Sequence, residues 1–234
     1  MGHSAPLHRT PWEKIRAKKE KPPDKGIEVI QNPKFIFISQ KKYIGELLCR
    51  SGMQDCNSIS TPMEQNLKIS SNDGEAFKDP TKCRQVVVSL IYLTTTRPDI
   101  TFAVGIMSRF MHKPCEEHWT IAQRVLKYLQ GTQSLIIKYS KVSDFHLTGY
   151  SDCDFDGDKE HGMSTFGYLM TLGSTTVTWR SKKQIVHADS TTKEEYVAAA
   201  QATKEIVWLR KILEDLQEKQ MTSTPLFVDN NFAI

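Results

Sequence analysis

Residues 149–157, Gly149-Tyr150-Ser151-Asp152-Cys153-Asp154-Phe155-Asp156-Gly157, decide how the chain is read: a short apolar approach ends in alternating acids and a glycine. Two further acidic points lie downstream. Glu194-Glu195 stands at the start of the longest helix-like stretch, and Asp229 follows the apolar run Pro225-Leu226-Phe227-Val228. Carboxylates at strand and helix ends, far apart in sequence, can converge on a divalent metal, because hard cations take clustered oxygen ligands. Two other readings compete. Asp152, Asp154, Asp156 and Gly157 spell the first half of a calcium-binding helix-loop-helix motif, D-x-D-x-D-G. The twelfth loop position, which needs a bidentate Glu, is Met163, and residues 145–151 read as strand rather than helix, so calcium is disfavoured. Acids beside a glycine at a strand end are also often only a turn, and the Asp152 stretch taken alone favours that reading.

Outward from this stretch, the 234 residues are long enough for one large domain or two small ones, and 39% hydrophobic residues supply packed cores. The five cysteines are odd in number and scattered, with no C-x-x-C pair, so they read as reduced intracellular thiols. No run approaches the roughly 18 apolar residues of a membrane span, and the N-terminus lacks the apolar core of a signal peptide. The expected location is intracellular, cytoplasmic or nuclear. Net charge is +4, but residues 1–25 hold seven basic against three acidic residues, which leaves the remainder neutral. The basic balance is therefore no evidence that the folded part binds nucleic acid.

Residues 1–25 are polar and proline-punctuated, and are expected to form a disordered basic arm. Residues 27–30 and 35–38 are β-type runs around Gln31-Asn32-Pro33-Lys34, a hairpin. Ser39 is placed to cap a helix over residues 41–51, with Tyr43, Leu47 and Leu48 on one face and Gly52 at its end. Residues 57–80 read as a long connection. From Pro80 to Gly131 the pattern is helical, broken at Pro98 and Pro114, with apolar stripes at Val86, Leu90, Leu93, then Phe102, Ile106, Phe110, then Ile121, Val125, Leu126, Leu129. Arg97, Arg109, Arg124 and Lys127 can face phosphate, although paired or solvated surface roles are as well supported.

Past Gly131 the pattern turns to β. Residues 135–139, 145–151, 168–172 and 175–179 suggest an antiparallel meander. A long amphipathic helix follows, in which Thr191-Thr192-Lys193-Glu194 fits a capping box. Its expected buried stripe is Tyr196, Ala199, Ala200, Thr203, Val207, Ile212, Leu213 and Leu216. Residues 217–224 read as a loop, 225–229 as a strand, and Asn230 onward as the start of a helix.

The order of these elements around the acids resembles ribonuclease H. The stretches GYSDCDFDGD (149–158), STFGYLMTLGS (164–174), VTWRSKKQ (177–184), STTKEEYVAAAQATKEIVWLRKIL (190–213) and LFVDNNFAI (226–234) look like the ribonuclease H domain of copia-type retrotransposon Pol polyproteins. Upstream, GIEVIQN (26–32), IFISQKKYIGELL (36–48), GMQDCNSISTPME (52–64), SLIYLTTTRPDITFAVGIMSRFMHKP (89–114) and HWTIAQRVLKYLQGT (118–132) look like the reverse-transcriptase segment that follows the polymerase active site. The resemblance implies three parts: an arm at 1–25, a mostly helical α+β reverse-transcriptase segment at 26–143, and an incomplete α/β ribonuclease H-like unit at 144–234, a mixed sheet with one long helix.

The same resemblance places the catalytic, metal-binding carboxylates on Asp152, Glu195 and Asp229. It implies Mg²⁺ or Mn²⁺ as cofactor, an RNA–DNA hybrid as substrate, and the rest of a Pol polyprotein as a further partner. Glu194, three residues after Thr191, is assigned to capping and Glu195 to metal. Asp154 and Asp156 are left as outer-shell or turn residues. Residues 26–143 carry no apolar-flanked Asp-Asp pair, so no polymerase activity is expected. The family pattern is altered at Lys193, Gly162-Met163, Phe166 and Phe232, and the chain stops before the family's fourth carboxylate. The expectation is weak or absent hybrid cleavage by this chain. The alternatives are a remnant that binds nucleic acid or Pol without catalysis, and a degenerate transposon-derived product.

Overall fold

A computed structural model describes residues 26–65, 67, 69–70, 74–141, 145–154, 163–184 and 190–229. The basic arm, residues 155–162 including Asp156, and the helix expected from Asn230 lie outside the described residues. Local chemistry sets the first elements. Strands β1 (Glu28–Gln31) and β2 (Phe35–Ser39) form the expected hairpin. Asn32 Oδ1 closes its turn by accepting from the backbone N–H groups of Lys34 (2.9 Å) and Phe35 (2.7 Å). Helix α1 (Lys41–Ser51) ends at Gly52, whose φ of 68° is the left-handed conformation that glycine adopts without a Cβ penalty. Its start differs from expectation. Gln40 is the N-cap and makes no side-chain cap, while the Ser39 hydroxyl donates instead to Glu28 across the hairpin at 3.0 Å.

Helices α2 (Pro80–Leu93), α3 (Thr101–Ser108) and α4 (Glu116–Gly131) follow, with a 3₁₀ turn at Pro98–Ile100, and the prolines fall at the helix starts where their missing N–H costs nothing. Asp79 caps α2 by accepting from the Lys82 N–H at 2.9 Å. The stripes predicted from periodicity are buried: Leu90, Leu93, Val125, Leu126 and Leu129 are fully enclosed and pack with α1 into one core. Phe102 departs from its stripe and is 38% exposed.

The β-rich part departs from a single meander. Strand β3 (Ile137–Ser140) pairs antiparallel with β2, completing a three-stranded sheet of order β1-β2-β3. Strands β4 (Leu147–Asp154), β5 (Thr165–Leu172), β6 (Thr175–Lys183) and β7 (Leu226–Val228) form a second sheet, order β6-β5-β4-β7, in which β7 runs parallel to β4. Helix α5 (Thr191–Asp215) makes the crossover from β6 to β7 and packs on β4 and β5. Helices and sheets together make an α+β architecture.

The buried face of α5 departs from the expected stripe everywhere but near Leu213. Ala198, Ala202, Ile206 and Leu213 meet Leu147, Tyr168 and Met170, whereas Tyr196, Val207, Trp208 and Leu216 are exposed. Small residues on both sides allow this close approach. A Cβ placed on Gly149 would meet Met170 Sδ at 2.9 Å, Leu226 Cδ1 at 3.0 Å and Ile206 Cδ1 at 3.1 Å. Gly149→Val is therefore expected to lower stability by about 1–3 kcal/mol through overpacking. Thermal unfolding measures it, and an unchanged midpoint would show that α5 can move off the sheet at no cost.

Candidate metal centre

The register of the second sheet builds the site. Gly149, Tyr150 and Ser151 pair with Leu226, Phe227 and Val228, so the next residue on each parallel strand, Asp152 and Asp229, stand side by side at the same end. The first turn of α5 arrives at that end. Its N-cap is Ser190, not Thr191, and the Ser190 hydroxyl accepts from the Lys193 N–H at 3.3 Å. This moves Glu194 out of the capping position assigned from sequence. Its buried carboxylate accepts a hydrogen bond from the Ser164 hydroxyl, and Gln184 Nε2 donates to the Glu194 carbonyl at 3.1 Å. Glu194 thus ties α5 to β5 and β6, and the following residue, Glu195, is aimed at the two strand ends.

Asp152, Glu195 and Asp229 each offer a carboxylate oxygen, and the three oxygens lie within 4.8 Å of one another. Oxygens about 2.0–2.6 Å from a common Mg²⁺ or Ca²⁺ ion fall within such a distance. Asp152 and Asp229 are exposed, while Glu195 is only 7% exposed. Its Oε2 is buried without a hydrogen-bond partner, an arrangement that costs free energy unless a cation or proton satisfies it. Burial first, then the negative charges of Asp229, Asp152 and Glu194, push the Glu195 carboxyl up to about 7. The nearby sulfur is no ligand. Burial first, then the negative charges of Glu194, Glu195, Asp152 and Asp154, push the Cys153 thiol up to about 12, so it stays protonated and accepts from Gln184 Nε2 at 3.2 Å. The donor set is all oxygen, which fits a hard divalent cation.

The sign of the Glu195 effect fixes a test. Below the ordinary value of 4.5 the residue is protonated whether the chain is folded or not; between 4.5 and about 7 the folded chain keeps a proton that the unfolded chain has released. Stability without metal is therefore expected to fall as pH rises through that interval and to level off above it. Denaturant midpoints read across it should decline in the wild type and lose this decline in Glu195→Gln. An identical slope in both would assign the titration to another group.

The other residues singled out from sequence are placed elsewhere. Asp154 lies at the end of β4. Arg97 is buried against Asp99, Arg109 Nη2 donates to Thr165 Oγ1 at 2.8 Å, and Arg124 pairs with Glu64 at 2.8 Å, so these cations act structurally. Ser164 and Gln184, which position α5, carried no sequence signal beyond their neighbourhood to the motifs. Among the described residues no helix is long and apolar enough to cross a membrane, and the cysteines are free.

Fold and site together define an α+β protein with a carboxylate cluster suited to a hard divalent cation. The chain belongs to the Pol polyproteins of copia-type retrotransposons. It is 39% identical over 205 residues to the retrovirus-related Pol polyprotein from transposon RE1 of Arabidopsis thaliana, covering 88% of this chain and 14% of that protein. It is 38% identical over 190 residues to the corresponding polyprotein from transposon TNT 1-94 of Nicotiana tabacum, covering 77% of this chain and 14% of that one. The chain thus spans about one seventh of the length of these polyproteins. An uncharacterized mitochondrial protein of Arabidopsis thaliana is 36% identical over 184 residues, covering 78% of this chain and 76% of that protein. No family model and no solved structure matches.

Proposed function

We propose that residues 144–234 form a ribonuclease H-like unit that hydrolyses the RNA strand of an RNA–DNA hybrid, and that residues 26–143 are the reverse-transcriptase segment preceding it in a Pol polyprotein. The observation that carries this reading is the convergence of Asp152, Glu195 and Asp229 from β4, α5 and β7. The sheet order β6-β5-β4-β7, with the Asp152 strand internal and a helix crossing to a parallel neighbour, supports it. Mg²⁺ or Mn²⁺, bound by these three carboxylates, would supply charge to activate water and to stabilise the leaving oxygen of a phosphodiester. The chain's own residues hold and orient. Asp152 and Asp229 are fixed by parallel pairing, and Glu195 by the Ser164–Glu194 and Gln184–Glu194 hydrogen bonds. Three carboxylates among the described residues hold a first cation better than a second, so hybrid cleavage by this chain is expected to be slow.

The partners that follow are an RNA–DNA hybrid and the remainder of a Pol polyprotein, within a cell. The test is a labelled RNA–DNA hybrid incubated with the purified chain and Mg²⁺. Cleavage that disappears in Glu195→Gln supports the enzyme, whereas tight hybrid binding with no cleavage in either Mg²⁺ or Mn²⁺ would make the chain a binding remnant.

A further inference from the structure

The face of the second sheet turned away from α5 carries a cleft that the carboxylate chemistry does not use. Strand alternation puts Tyr150 and Asp152 on this face, and register aligns Tyr150 with Leu169 and Trp179, and Asp152 with Gly167 and Ser181. Above these rows lie Pro98, Thr101 and Phe102 at the start of α3, enclosing about 350 Å³ whose lining reaches Asp152 itself. Gly167 leaves the floor low between Asp152 and Ser181. The walls are set rather than loose. Trp179 Nε1–H donates to the Thr94 carbonyl at 2.8 Å, and Arg109 holds α3 against β5 through Thr165. Phe102 and Tyr150 show 38% and 46% of their surface, and the Tyr150 ring stacks on Phe227 with centroids 5.4 Å apart.

A cavity of this size takes one small planar group and cannot admit a stacked duplex. Its aromatic walls suit the face of a nucleobase, which stacks on such rings whatever its sequence. Its acidic end is continuous with the cluster that would hold a cation, so the cleft adjoins the strand whose phosphates that cation would attract. We infer that this cleft binds an unpaired base of a strand that runs past the hybrid seated at the carboxylate centre, a stacking subsite built jointly by α3 and the second sheet. The inference rests on the hybrid reading above.

The test is fluorescence anisotropy of the full chain, in Ca²⁺, with a labelled RNA–DNA hybrid that is either blunt or extended by a short unpaired DNA tail. The tail should tighten binding by roughly fivefold to a hundredfold, the range for stacking of a single base. Phe102→Ala and Tyr150→Ala should each lose that gain, Phe102→Tyr should keep it, and Trp208→Ala, at an exposed ring on α5, should leave it untouched. Both cleft residues are partly exposed, and equal thermal midpoints would show that the variants fold. Blunt binding with no gain from the tail overturns the cleft and leaves the hybrid reading standing. Tail binding that depends on Phe102 without blunt binding does the reverse. A gain that survives both alanine variants, or that an excess of an arginine amide abolishes in the wild type, places the base elsewhere or gives the cleft to a cationic side chain, and either overturns the inference. Absence of binding by both hybrids overturns both.

Discussion

Replacing Asp152 by asparagine is expected to weaken divalent-cation binding at least a hundredfold, about 2.7 kcal/mol, so that saturable binding disappears from a Mn²⁺ titration at millimolar metal. Asp152 and Asp229 are the exposed arms of the cluster, and Glu195 is its buried point, whose Oε2 has no protein partner. Removing one anionic oxygen leaves too little charge to offset dehydration of the ion. The loss should be seen whether or not the chain cleaves a hybrid. Asp154→Asn, one pleat further along the same strand face, should change affinity far less. Equal titrations for Asp152→Asn and wild type would mean that the carboxylates converge without forming a cation site.

A comparably large effect is expected in stability at the centre of the helical region. Arg97 is 2% exposed, and its guanidinium makes hydrogen bonds of 2.9 Å and 2.6 Å to the Asp99 carboxylate and of 3.0 Å and 2.7 Å to the carbonyl and hydroxyl of Thr132. Tyr128 adds its hydroxyl to Asp99 at 2.8 Å and its ring beneath Arg97. Asp99→Ala strands a buried cation, which costs about 3–5 kcal/mol, enough to unfold a domain of ordinary stability. Arg124→Ala, which breaks a more exposed pair with Glu64, should cost no more than about 1 kcal/mol from the ion pair. Denaturant midpoints compare the two. Burial works to raise the Asp99 carboxyl, but the hydrogen bonds and charge of Arg97 outweigh it and hold the group below its ordinary 3.8. Its contribution is therefore present above that value and should be lost as pH falls through the folded value. A small effect of Asp99→Ala would show that Thr132 and Tyr128 alone satisfy the guanidinium.

Much of the molecule was legible in the chain itself, wherever the deciding interaction is local. Asn32-Pro33 makes its own turn through the Asn32 side chain, Gly52 stops α1 because a left-handed residue is needed there, and Pro80, Pro98 and Pro114 punctuate the helices. The apolar spacing of α2 and α4 predicts the buried stripes, since a 3.6-residue period is a property of the helix and not of its neighbours. The three carboxylates, too, were visible as residue types at element ends.

What surrounds each element was decided only in three dimensions. β3 looks like the first strand of the following meander, yet it pairs with β2, about a hundred residues earlier, because hydrogen-bonding partners are chosen by packing and not by order in the chain. The apolar residues of α5 surround too much of the helix for periodicity to select a face. The close approach at Gly149 selects Ala198, Ala202 and Ile206, leaving Tyr196 and Trp208 outside. The same docking turns Glu194 from an expected cap into a buried acceptor for Ser164 and brings Glu195 to Asp152 and Asp229. Sequence alone determined which oxygens the protein possesses and roughly where its strands and helices end. The raised proton affinity of Glu195 and the aromatic cleft beside Asp152 belong to the tertiary structure, because desolvation and charge proximity arise only when segments distant in the chain are packed together.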